Sequence, residues 1–193
     1  MGKVYADLSM SLDGYATGPD DNVEQPMGRG GEQLHAWMSN PDNGGILAEI
    51  GQGYGAVVIG RHMFDVGEAV WRPDPPFDRP VFVATHRARP PATIGSAEYS
   101  FVTGGLGETL ARARATAGDR NVWICGGANV VRQAMLLGEL DELQVQVVPV
   151  LLGGGKRLFD DPALAVAGFE VDRVQTDGQV THIRMRAKRG PAS

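Results

Sequence analysis

Apolar residues in this chain gather into short blocks that begin and end near glycine, and the spacing inside each block predicts an element. Residues 3–10 alternate apolar and polar side chains and predict a first strand, which breaks at Leu12-Asp13-Gly14 into a polar loop reaching to about residue 31. A loop of that length without its own structure makes residues 12–30 a candidate lid or site wall. Residues 33–38 and 45–50 read as short helices, with Ser39-Asn40-Pro41-Asp42-Asn43-Gly44 as a capped turn between them. Ala56-Val57-Val58-Ile59-Gly60 is an uninterrupted apolar run of strand length, which implies a strand covered on both faces, and residues 61–69 continue it as a helix.

The unit then repeats in outline. Strands are expected at 80–84, 99–102 and 143–152, another at Val122-Trp123-Ile124-Cys125, and helices at 106–117 and 128–137. Alternation over 169–175 and 180–187 around Thr176-Asp177-Gly178-Gln179 predicts a closing hairpin, followed by a frayed end at 189–193. The order is that of an α/β fold whose mixed sheet ends in an antiparallel pair.

Composition narrows the function classes. At 193 residues, 42% of them hydrophobic, the chain suits one domain, 1–193, with a single core. A formal net charge of −5 argues against a protein built to wrap nucleic acid. The lone Cys125 excludes an internal disulfide framework and suits a reducing cytoplasm. No long apolar stretch precedes the first charges, and Ala6 and Asp7 stand where a myristoylation signal wants Ser or Thr. The expectation is a soluble cytoplasmic protein with no nucleic-acid or membrane partner. Its four histidines and one cysteine show no metal-ligand spacing, so no metal is expected.

Three strand ends carry candidate chemistry, because ligands on open α/β sheets collect at the carboxyl ends of strands. At Gly60-Arg61-His62, a helix starting just after a strand aims unpaired N–H groups and its positive end at a phosphate, and Arg61 adds a permanent charge. A turn glycine followed by a solvated arginine reads the same way. At Thr85-His86-Arg87 a hydroxyl, an imidazole and a guanidinium can hold a phosphomonoester, and an ordinary charged loop is the alternative. At Gly126-Gly127-Ala128-Asn129-Val130 two glycines let the backbone approach a pyrophosphate ahead of a helix N-terminus. That segment is not G-x-G-x-x-G, which disfavours an ordinary Rossmann enzyme, and a plain tight turn stays open.

In order and wording these segments resemble the dihydrofolate reductase superfamily over residues 3–186. Gly60-Arg61-His62 is similar to the segment opening the family's cofactor helix, and residues 81–87 to the strand whose end reads the 2′-phosphate of NADPH. Cys125-Gly126-Gly127-Ala128 resembles the pyrophosphate loop, and Asp141-Glu142-Leu143 the acidic start of the following strand. Met10-Ser11-Leu12-Asp13-Gly14-Tyr15 and Pro149-Val150-Leu151-Leu152-Gly153-Gly154-Gly155 look like the pyrimidine reductase domain of riboflavin biosynthesis, the RibD C-terminal domain, and its stand-alone relatives. The resemblance implies a three-layer, dihydrofolate reductase-like mixed sheet with helices on both faces, NADPH as cofactor, a cis peptide between Gly126 and Gly127, and a homodimer. It also implies an activity resembling 5-amino-6-(5-phosphoribosylamino)uracil reductase, with hydride transfer to a small heterocyclic or carbonyl substrate.

Departures from the superfamily pattern separate the branches. Leu34 stands where a true dihydrofolate reductase carries its pterin-binding carboxylate, and Glu32 sits at a different angle on that segment. Gln146 takes the place of a pterin-side threonine, and Met63 that of a threonine contacting the pyrophosphate. By the same resemblance Ala16 and Thr17 border the nicotinamide, while Asp13 is the candidate catalytic acid or substrate-orienting group, although Asp-Gly is equally an ordinary turn pair. Glu32, Leu34, Trp37, Gln146 and Gly153 are the candidate substrate residues; Trp37 and Trp71 serve packing equally well, and the glycines before Lys156 and Arg157 a flexible turn. Two other readings remain: a nucleotide-binding or regulatory protein that kept the fold and lost the chemistry, for which Leu34 and Met63 speak, or a reductase using a deazaflavin.

Overall fold

The computed structural model of the protein describes residues 2–177 and 179–188. Gly178, in the expected hairpin turn, and the expected frayed end at 189–193 lie outside the described residues. The opening strand, β1 (Val4–Ser11), runs through the middle of the sheet, and its alternation fits that place. Val4, Ala6, Leu8 and Met10 face one apolar layer, while Tyr5, Asp7, Ser9 and Ser11 fall on the opposite face.

Next come β2 (Tyr15–Thr17), a 3-10 segment (Gly31–Ser39), a 3-10 turn (Pro41–Asn43) and α1 (Gly44–Gly51). The middle of the chain forms β3 (Tyr54–Gly60), α2 (Arg61–Trp71), β4 (Val81–Ala84), β5 (Ala92–Ile94), β6 (Ala97–Val102) and α3 (Gly105–Ala117). The last third holds β7 (Asn121–Gly126), α4 (Ala128–Leu136), β8 (Glu142–Val148), β9 (Lys156–Arg157), a 3-10 turn (Pro162–Val166), β10 (Phe169–Thr176) and β11 (Thr181–Ala187).

Nine strands form one mixed sheet in the order β10-β11-β8-β1-β7-β3-β4-β6-β5. The central strands from β8 to β6 run parallel, with Ala6 opposite Leu143 and Ile124, while β5, β10 and β11 are antiparallel additions. On one face α3 and α4 bury Leu106, Leu110, Val131 and Ala134 against Val4, Ala6 and Val58. The other face is covered in two parts. Phe64 of α2 packs on Val57, Ile59 and Val83, and Leu34, Trp37, Ile46 and Ile50 form a cap over the β1 and β8 end. Truncating the fully buried Phe64 to alanine would cost about 3–5 kcal/mol, so the α2 contact is a main part of the second layer.

Differences from the expected elements have local causes. The short helix expected at 33–38 is a 3-10 helix over Gly31–Ser39, and its buried residues Gly31, Leu34 and Trp37 recur every third position, matching three residues per turn. The strand expected over 143–152 ends at Val148, because Pro149 has no N–H for the ladder and Val150 N–H turns back to the Val148 carbonyl at 2.8 Å. β5 and β9 are three and two residues long, too short to leave an alternating signal. Among the described residues no helix is long and apolar enough to cross a membrane.

Candidate active site

The parallel strands β7, β3, β4 and β6 finish along one edge of the sheet, and α4, α2 and α3 start there after β7, β3 and β6. Each helix leaves N–H groups unpaired in its first turn, so three positive helix ends converge on this edge. A groove of about 1110 Å³ runs along it and under the 31–51 cap. Every residue expected to hold a dinucleotide lines this groove: Ala16 and Thr17 of β2, Gly60, Arg61 and His62, Thr85, His86 and Arg87, and residues 126–130.

Backbone shape makes room for a pyrophosphate at the β7–α4 junction. The Gly126-Gly127 peptide is cis, and Gly126 has φ 149°, a conformation that side chains rarely allow. A Cβ on Gly126 would sit 3.0 Å from Met63 Sδ, whereas one on Gly127 would meet nothing within 4 Å, so the Gly127 backbone faces open groove. Gly60 is equally constrained, since a Cβ there would lie 3.0 Å from Val130 Cγ2. An open glycine backbone beside a helix N-terminus fits a diphosphate.

Charge is fixed around that cradle by a single carboxylate. Arg61 Nε donates to Asp65 Oδ1 at 2.7 Å, Arg61 Nη1 donates to the Arg87 carbonyl at 3.3 Å, and Arg87 Nη2 lies 3.8 Å from Asp65. The two guanidinium groups are thereby held on the same side of the groove, where they suit a phosphomonoester. The Thr85 hydroxyl closes the turn that presents Arg87, accepting from Arg87 N–H at 3.1 Å and donating to the Arg87 carbonyl at 3.2 Å. Across the groove, the loop after β2 is held down by Asp21, which takes His62 Nε2 at 2.7 Å and Lys156 Nζ on the same oxygen. Burial pushes the Asp21 carboxyl up, but the bonds from Lys156 and His62 win and hold it below the usual carboxylate range. The loop expected as a site wall is one: Ala16, Thr17, Asp21, Pro26 and Met27 all line the groove.

The other end of the groove was not legible from motifs. Its floor carries Asp7 and Ser9 of β1 with Trp123 and Cys125 of β7, and Leu47, Ile50 and Tyr54 also line the groove there. Asp7 is 8% exposed and accepts a 2.7 Å hydrogen bond from Gln146 Nε2 of β8. Burial pushes its carboxyl up to about 7, with a smaller opposing effect from Gln146. The signal for Asp7 was its place: an acidic residue in the middle of a strand that the fold covers on both faces.

The residues expected to be catalytic or substrate-binding fall elsewhere. Asp13 does not line the groove: its carboxylate accepts from Ser11 Oγ at 2.6 Å and from the backbone N–H groups of Gly153 at 2.7 Å and Leu152 at 3.2 Å. The Ser11 bond, more than the backbone ones, pulls its carboxyl down to about 2, and the group clasps two loops together. Leu34 and Trp37 are buried in the cap, with Trp37 Nε1 donating to Ser9 Oγ at 3.0 Å, and Glu32 and Gly153 face solvent. None of Glu32, Leu34, Trp37, Gln146 and Gly153 forms the groove wall, and Gln146 reaches it only through Asp7. Trp71 packs on Phe77 and Tyr99, away from the groove. Burial, and to a lesser degree Asp7, push the Cys125 thiol up, which favours its protonated form. Lys156 is tied to Asp21, and Arg157 stacks on the Tyr15 ring at 4.5 Å, so both basic side chains after the glycine run have partners within the chain. Among the described residues no three His, Cys, Asp or Glu side chains gather as a metal site would need.

Comparison with known proteins agrees with this architecture. The family model of the RibD C-terminal domain matches residues 2–183. Uncharacterized protein YwjB of Bacillus subtilis is 27% identical over 154 residues, 80% of this chain and 80% of its own. The crystal structure of a putative riboflavin biosynthesis protein from Shewanella sp. PV-4 superposes with a TM-score of 0.74 at 25% identity, covering 98% of this chain and all of the other. A dihydrofolate reductase from Enterococcus faecalis, solved in complex with NADP(H), shares the fold at a TM-score of 0.61 and 16% identity over 96% of both chains.

Proposed function

We propose, because the chain belongs to the RibD C-terminal domain family, that it is an NADPH-dependent reductase delivering a hydride to a small heterocyclic or carbonyl substrate. The observation that carries this reading is the continuity of one groove from the three helix ends and Arg61 and Arg87 to the largely apolar recess beside Trp123, under the 31–51 cap. A dinucleotide laid along it would have its pyrophosphate over Gly127, its extra phosphate against Arg87 and Arg61, and its nicotinamide between β2 and β7. The likeness in fold to a dihydrofolate reductase complexed with NADP(H) supports the same choice of cofactor.

The bound dinucleotide would supply the hydride, and the chain supplies the rest. The helix ends and guanidinium groups would bind and orient it, the clasped loop with Ala16 and Thr17 would wall the nicotinamide, and the largely apolar lining would limit water around the reacting pair. Leu34 lies fully buried in the cap, so no carboxylate comes from the position that binds the pterin in the resembling enzymes. That favours a substrate other than dihydrofolate. Following dihydronicotinamide absorbance with pyrimidine, pterin and simple carbonyl acceptors tests the assignment. Oxidation is expected with a pyrimidine or carbonyl acceptor and not with dihydrofolate; tight NADPH binding without turnover on any acceptor would favour a purely nucleotide-binding protein.

A further inference from the structure

We propose that Asp7 is the group that meets the substrate and protonates it, the substrate being a small planar acceptor with a C=O or C=N bond lying on the Ser9–Cys125 floor. The inference rests on the reductase reading above and adds to it the residue that meets and protonates the substrate.

Three carboxylates line the groove among the described residues, and two of them face cations. Asp65 is bound to Arg61 and Arg87, and Asp21 to His62 and Lys156. Asp7 is the exception, with the neutral amide of Gln146 as its hydrogen-bond donor. That amide approaches Oδ2 at 2.7 Å and fixes the carboxyl group, while Gln146 Oε1 is buried with no hydrogen-bond partner. A carboxyl placed in an apolar chamber without a cation favours its neutral acid form and so carries a proton to give.

The groups facing Asp7 leave it as the acid suited to neutral pH. Tyr5, on the same strand and face, and Cys125, on β7, both have their acidities weakened first by burial and then by the Asp7 charge, and Tyr54 is pushed up to about 12 by burial. His35 lines the groove from the cap. His182 and Arg184 lie on the same face two strands away, opposite Gln146 and Gln144, and Arg184 is bound to Glu49 of α1 and Asp172 of β10. Asp7 itself sits near 7, where an acid is half protonated at neutral pH and gives its proton readily.

The step balances. As the acceptor carbon gains a hydride with its electron pair from a reduced nicotinamide, the π pair of the C=O or C=N bond moves onto the heteroatom. The Asp7 O–H bond then breaks, a new bond from that proton to the heteroatom forms, and Asp7 is left as a carboxylate still bonded to Gln146. Solvent restores its proton after product leaves. Trp123, Tyr54, Leu47 and Ile50 offer the flat and apolar surfaces on which a planar acceptor would rest.

The test uses the whole chain, carboxyl-13C aspartate labelling and uracil as a neutral planar probe, in the presence of NADP+. We expect one aspartate resonance titrating near neutrality, absent in Asp7→Glu and Asp7→Asn, that shifts saturably with uracil. Asp7→Asn should weaken uracil by about tenfold or more while NADPH affinity stays within about twofold. Uracil that binds the variant equally well, or leaves that resonance unmoved, overturns the inference and leaves the reductase reading standing if NADPH still binds. Failure of wild-type protein to bind NADPH would instead sink the reading underneath. The resonance arm on wild-type protein decides the case even if neither variant folds.

Discussion

Gln146 Nε2 donates a 2.7 Å hydrogen bond to Asp7 Oδ2, joining the central strand β1 to β8 beneath the groove. The bond steadies the charged form of Asp7 in a place where burial opposes it. Replacing Gln146 with leucine should therefore raise the Asp7 titration midpoint further. Leaving a buried carboxyl without its donor should also cost about 1–3 kcal/mol in urea unfolding. A midpoint that fell would contradict the geometry.

Stability should decline with pH because of the same carboxyl. Asp7 titrates near 7 in the folded protein against 3.8 for an unperturbed group, so between these values the native state holds a proton that the unfolded chain has released. The contribution is fully present below about pH 4 and is lost as pH rises through the folded value, roughly 4 kcal/mol at most. Urea midpoints of wild-type protein and Asp7→Asn measured from about pH 5 to about pH 8 should show the decline flattened in the variant. Equal slopes would mean that Asp7 is not the source.

Asp13 offers the opposite sign. Its carboxyl is held down near 2 by Ser11 first, then by the Gly153 and Leu152 N–H groups, so the stability it lends is present above 3.8 and lost as pH falls through about 2. Asp13→Ala should loosen the loops it joins and speed proteolysis at residues 12–14 or 152–155, with NADPH affinity within about twofold of wild type. A large loss of dinucleotide affinity with unchanged proteolysis would return Asp13 to the active site.

Gly126→Ala should damage the cradle directly. At φ 149° an added Cβ is strained and also meets Met63 Sδ at 3.0 Å, so the turn must shift and carry the Gly127 backbone with it. Weaker NADPH binding by about tenfold or more is expected by fluorescence titration. Unchanged affinity would show that the pyrophosphate lies elsewhere.

Much of this architecture is legible in the residues. The run 56–60 is apolar enough to demand cover on both faces, 122–125 is apolar enough for a strand, and the glycines at 60 and 126–127 mark the turns where the helices start. That is why the lining of the groove at the helix ends could be read residue by residue: its positions are consecutive along the chain at Gly60, Thr85 and Gly126. The recess beside Trp123 could not be read this way, because it is assembled across strands. Asp7 and Gln146 are 139 residues apart, and only the parallel register of β1 with β8 brings them together. Asp13 shows the converse: in sequence, a carboxylate in a tight Asp-Gly turn looks the same whether it faces a ligand or the backbone of a loop 140 residues away, as it does here.

The most direct test is a paired titration of the protein with NADPH and NADH, read from quenching of Trp123, which lines the groove. Saturable binding of both is predicted, with NADPH tighter by about tenfold or more, and Arg87→Ala should remove most of that difference. Equal affinity for the two dinucleotides, or no saturable binding of either, would contradict the groove as a site for a phosphorylated dinucleotide.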